Sequence, residues 1–123
     1  KSGSIHKYRQ HERLTEPVHG LTVYGAAGID PKTNQPYRDH PNAKDIFVHR
    51  DKTSRVDAYI DCVNQGGSQP CKHIFSLEPY MHAEVYVLYR RSLLPQWREI
   101  QQAVTRQILG FRTLPANPVA AKP

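Results

Sequence analysis

Seven histidines stand among 123 residues, and His19, His49, His73 and His82 lie in or beside strand-like runs. Two histidines next to Lys72 or Arg90 would suit phosphodiester cleavage, one as base and one as acid. No spacing fixes their mutual geometry. Surface histidines plus one hydrogen-bonded interior histidine is the plainer reading. Cys62, Cys71, His73 and His82 could also be written as a Cys2His2 metal set. Zinc fingers and ribbons space their cysteine pairs two to four residues apart, and these do not match. There is no Gly-x-Ser-x-Gly elbow for a serine nucleophile. Neither glycine-rich phosphate-binding signature occurs. The expectation is no catalytic residue, no metal and no cofactor.

The cysteines have a simpler use. Eight residues separate Cys62 from Cys71, Val63–Pro70, rich in glycine and polar side chains. Each cysteine ends or begins a strand-like run. A hairpin with this loop sets the two sulfurs opposite one another, which predicts a disulfide and an oxidising compartment. The alternative is two unrelated thiols in a cytosolic protein. Closing so short a loop stabilises by about 2–3 kcal/mol on the chain-entropy model.

A third group of residues suits recognition. Asp30–Asp45 holds Pro31, Pro36 and Pro41 together with Tyr37, Arg38 and Asp39. Tyrosine and arginine are favoured at binding hot spots, and prolines lower the ordering cost of binding. With the Asn64–Gln69 hairpin tip, this long loop is the candidate contact patch: Tyr37, Arg38, Asp39, Asn64, Gln65 and Ser68. A plain surface loop is the competing reading.

The elements that carry these residues read as follows. Lys1–Pro17 is a polar, basic arm able to join an edge strand. Leu21–Tyr24 and Ile46–His49 are short strands. Arg55–Cys62 alternates, with Val56, Ala58, Ile60 and Cys62 on one face and Asp57, Tyr59 and Asp61 on the other. Cys71, His73, Phe75 and Leu77 repeat that period. Ala83–Arg90 is apolar on both faces, which predicts a central strand. The period then changes: Leu93, Leu94, Trp97, Ile100, Val104, Ile108 and Phe111 recur every three or four residues. Ser92 as cap, Pro95 in the first turn and Gly110 as stop frame an amphipathic helix of about four turns. The fold expected is α+β: an antiparallel meander of about five strands with one C-terminal amphipathic helix packed on the sheet and one disulfide. Residues 1–20 are an N-terminal arm, 21–111 a single domain, and 112–123 a disordered tail.

Size and charge narrow the class. A chain of 14.1 kDa fits one domain and buries roughly two-thirds of its unfolded surface. The longest apolar stretch, Val85–Tyr89, is far short of the about 18 residues that a membrane helix needs. The net charge of +6 and isoelectric point near 9.5 invite a nucleic-acid reading. However, the excess lies in residues 1–20 (net +2) and 71–123 (net +4), while 21–70 is neutral and holds all six aspartates. No dense basic cluster or nucleic-acid signature is present, so no nucleic-acid partner is expected.

Tyr59-Ile60-Asp61-Cys62, then Cys71-Lys72-His73-Ile74-Phe75, then Leu94-Pro95-Gln96-Trp97-Arg98-Glu99-Ile100, followed by a C-terminal Phe, resembles small cell-envelope proteins of Gram-negative bacteria. They are the immunity proteins encoded beside type VI secretion phospholipase effectors. The likeness spans about Ile46–Phe111. It implies a periplasmic or lipoprotein-anchored inhibitor that forms a heterodimer with its cognate effector and occludes the lipase's substrate entrance. No contact residue is part of the shared pattern. The chain starts at Lys1 and its one methionine is Met81. Either the chain was trimmed or a targeting segment, with a possible membrane anchor, preceded Lys1. The competing functions are a small basic ribonuclease-like hydrolase using His73 or His82, and an adaptor that loads an effector onto the secretion machine.

Overall fold

The computed structural model describes residues 11–64 and 69–113, the last three by backbone alone. Six strands form one antiparallel sheet: β1 (His11–Arg13), β2 (Thr22–Ala26), β5 (Lys44–Arg50), β6 (Val56–Val63), β7 (Cys71–Ser76) and β8 (Glu84–Tyr89), in that spatial order. A two-residue-strand hairpin, β3 (Ile29–Asp30) and β4 (Gln35–Pro36), interrupts the β2–β5 connection. A 3-10 stretch, Arg91–Gln96, leads into helix α1 (Trp97–Thr113). The α+β class, the meander, the single C-terminal helix and the disulfide agree with expectation. The sixth strand comes from the segment read as an arm, described from His11 onward. The tail beyond Thr113, and Gln65 and Ser68 of the hairpin tip, lie outside the described residues.

Local sequence explains the turns. Val18 and Leu21 bridge each other around His19 (φ 53°) and Gly20 (φ 80°). Both central residues are left-handed, as a tight type I′ turn requires. After β5, the Asp51 carboxylate accepts from the Thr53 amide (2.8 Å), the Thr53 hydroxyl (2.7 Å) and the Arg55 amide (3.1 Å). Ser54 takes a left-handed φ of 70° there.

Alternation along the strands makes one face the core. Val23, Phe47, Ile60, His73 and Val87 form one cross-strand row. Leu94 and Trp97 close over it, with Ile100 packed alongside. Phe47 and Ile60 are essentially inaccessible, and each such burial contributes about 1.5–3 kcal/mol. The Trp97 indole donates to the His19 carbonyl at 2.9 Å, tying the helix start to the tight turn.

Three expectations are corrected. Ala83–Arg90 is an edge strand, because the chain after Tyr89 turns under the core face and no later strand pairs with β8 among the described residues. Its second apolar face is therefore exposed: Tyr86 is 59% and Leu88 64% accessible. Ser92 makes no side-chain cap and lies inside the 3-10 stretch. Gly110 does not stop the helix, which runs on to Thr113. A helical glycine costs only about 1 kcal/mol.

Candidate functional site

Among the described residues, those singled out for recognition gather at one end of the sheet. The anchor is Asp45, wholly buried at the start of β5 and opposite Cys62. Arg38 grips it with two bonds, Nε to Oδ1 at 2.9 Å and Nη2 to Oδ2 at 3.1 Å. Arg91 adds Nη2 to Oδ2 at 3.1 Å. The side-chain bond to Asp45 raises the Arg38 pKa, against a burial penalty that lowers it. The Arg38 stem lies across Gly25, where a Cβ would come within 2.9 Å of Cδ. Glycine is the residue that admits this approach. The Arg91 guanidinium sits 5.4 Å over the Phe47 ring and donates to the Val63 carbonyl at 3.2 Å.

This cluster binds the long loop to the β6–β7 hairpin. The Asn64 side-chain amide donates to the Arg38 carbonyl, and the Asn64 backbone amide to the Ala43 carbonyl, both at 2.7 Å. Cys62 and Cys71 are bonded, their Cα atoms 4.3 Å apart across a directly opposed pair. Tyr37, Arg38, Asp39 and Asn64 are thus brought together although 26 residues separate Arg38 from Asn64. Their roles differ. Arg38 is committed to Asp45, whereas Asp39 is exposed and Tyr37 half-buried.

Tyr37 lines a cleft of about 820 Å³ between the loop and the sheet face that α1 does not cover. Asp30 and His40 line its loop side, and Ile46, Tyr59 and Asp61 its sheet side. Burial is the larger cause that raises the Tyr59 pKa, with the Asp61 charge second, so its phenol stays a neutral donor. Lys44 Nζ lies 3.7 Å from Asp61. Two cross-strand rows continue from this cleft over the whole open face. One is Thr22, Val48, Tyr59, Ile74 and Tyr86; the other is Tyr24, Ile46, Asp61, Lys72 and Leu88. Tyrosine and aliphatic side chains dominate both. The alternation of β6 announced this face, but the rows needed the register of the sheet.

The histidines considered for catalysis fall elsewhere. His73 is fully buried. Its Nδ1 accepts from the Tyr89 hydroxyl and its Nε2 donates to the Gln101 side-chain carbonyl, both at 2.8 Å. This tautomer is the one that satisfies all three groups. Burial lowers the His73 pKa, opposed by the Gln101 bond, and pushes the Tyr89 hydroxyl up. No substrate reaches this imidazole without unfolding the core. His82 stands exposed in a turn, paired with Glu78, while Cys62 and Cys71 spend both thiols on each other. The four residues of the Cys2His2 reading therefore do not converge. No described helix is long and apolar enough to cross a membrane. Comparison of the chain with protein-family models, with curated proteins and with solved structures finds no match.

Proposed function

We propose that this protein is a binding module that neutralises a secreted phospholipase by seating it on the cleft and the open sheet face. The observation that carries the reading is the cleft itself. Two tyrosines, Tyr37 and Tyr59, face a concavity whose walls are held by two half-exposed arginines on the buried Asp45 and by a disulfide. Rigid walls with aromatic anchors are what a hot spot needs, since little ordering entropy is then lost on binding. The partner class rests on the resemblance of the Cys62–Phe75 hairpin and the Trp97 helix segment to periplasmic immunity proteins. The mechanism is occlusion, in which the loop and the sheet face cover the lipase entrance and deny it lipid.

The test is titration of the chain into a phospholipid hydrolysis assay run with the lipase encoded beside its gene. The expected result is stoichiometric one-to-one inhibition, weakened about tenfold or more when Tyr37→Ala and Tyr59→Ala are combined. Arg38 is left intact, because its loss would disturb the walls as well as the contact. Full lipase activity at saturating chain would overturn the reading. So would a tight complex with an active lipase, which is the behaviour of an effector-loading adaptor.

A further inference from the structure

We propose that the free edge of β8 pairs antiparallel with β8 of a second copy of this chain, joining two six-stranded sheets across a two-fold axis through Val87. A free strand edge presents unpaired amides and carbonyls. Proteins usually blunt it with proline, lysine, a bulge or short length. The β1 edge is three residues long among the described residues. The β8 edge has none of these devices. Glu84–Tyr89 runs six residues without proline or lysine, and its ladder to β7 holds six consecutive pairs without a register shift. Among the described residues no other backbone hydrogen bond reaches this strand.

The side chains select the occupant and the register. A shift by one residue would exchange the two faces, so only registers of matched parity keep core with core. Centred on Val87, the pairing sets Tyr86 against the partner's Leu88 on the open face. These are the two most exposed apolar side chains of the strand. On the core face Val85 meets the partner's Tyr89, and Val87 meets its own counterpart. At both ends Glu84 meets the partner's Arg90. Both residues are exposed, and Arg90 is still extended at φ −67°, ψ 149°. Sliding by two residues either way sets Glu84 against leucine or Tyr86 against arginine. One register therefore satisfies the apolar pairs and the charges together, and the two-fold supplies each charge pair twice. The paired edge lies two strands from Tyr59 and does not include Tyr37, so the Tyr37 and Tyr59 variants report on partner binding and the Glu84 and Arg90 swaps on the dimer.

Sedimentation of the 123-residue chain from about 1 µM to about 1 mM tests this. The mass should rise from 14.1 kDa to twice that value. Glu84→Arg and Arg90→Glu should each weaken dimerisation about tenfold, and the double swap should restore it to within about threefold of the parent. Leu88→Lys, also at an exposed position, should produce the loss by an independent route while the circular dichroism spectrum stays unchanged. A chain monomeric at every concentration overturns the proposal. So does a dimer indifferent to the single swaps, or one that the double swap does not restore.

Discussion

The two faces of the six-stranded sheet are made by the same strands and differ in what they cover. On the helix side even the polar groups are enclosed and matched. Asp45 has two arginines, and His73 has Tyr89 and Gln101. On the other side apolar groups remain in water, from Tyr24 and Ile46 to Tyr86 and Leu88. A buried polar group is tolerated when it is satisfied, whereas the open face leaves Tyr86 and Leu88 exposed and Tyr24, Ile46, Tyr59 and Ile74 half-buried, with Val48 and Asp61 buried among them. The difference gives stability to the first face and supports the proposal that recognition belongs to the second. Asp45 joins them, because it is buried on the core side and yet, through Arg38, holds the loop that walls the cleft.

Substitutions sharpen this contrast in order of size. Phe47→Ala on the core face should cost about 3–5 kcal/mol in urea unfolding. Tyr86→Ala on the open face should change stability by no more than about 0.5 kcal/mol. Equal losses would erase the distinction between the faces. Asp45→Ala should cost about 1.5–3 kcal/mol, the range for lost hydrogen bonds to a charged group, because the two arginines it leaves are half-exposed. It should also speed amide exchange at His40 and Asn64, whose backbone bonds hold the loop. Reducing the Cys62–Cys71 bond should lower stability by about 2–3 kcal/mol, read as a shift of the denaturation midpoint with and without reductant.

A further effect is the dependence on pH. His73 titrates near 6.5 when unfolded and lower in the native protein. Between those values the unfolded chain holds more protons, so stability is full above about 6.5 and falls as the pH drops toward the native value. The slope from this group is at most about 1.4 kcal/mol per pH unit. His73→Gln should remove that component of the acid-side slope, measured by urea titrations at stepped pH.

Much of the core face was legible in the sequence. The period-two runs at Arg55–Cys62 and Cys71–Leu77 set the buried side chains, except that Val56 is exposed beside the register shift at His49 and Arg50, and the cysteine spacing set the bridge. Asp45 was not legible. Lys44-Asp45 looks like the polar end of a loop, and only the pairing of Asp45 with Cys62 turns the carboxylate inward. The apolar second face of Ala83–Arg90 suggested a central strand, since periodicity cannot tell a covered face from one awaiting a partner. The cleft escaped for a similar reason. Tyr37 and Tyr59 meet through the β2–β5 excursion and the sheet register, neither of which is a local property of the chain. The loop itself was visible from its tyrosine, arginine and prolines, and the structure commits its Arg38 to Asp45.

The most direct test of the division between the faces is calorimetric titration of the proposed phospholipase partner into matched variants. Tyr37→Ala with Tyr59→Ala should weaken binding at least about tenfold, while Gln102→Ala with Arg106→Ala, exposed on α1, should leave affinity unchanged. Loss of affinity from the helix pair, with full affinity retained by the tyrosine pair, would place recognition on the wrong face and contradict the account.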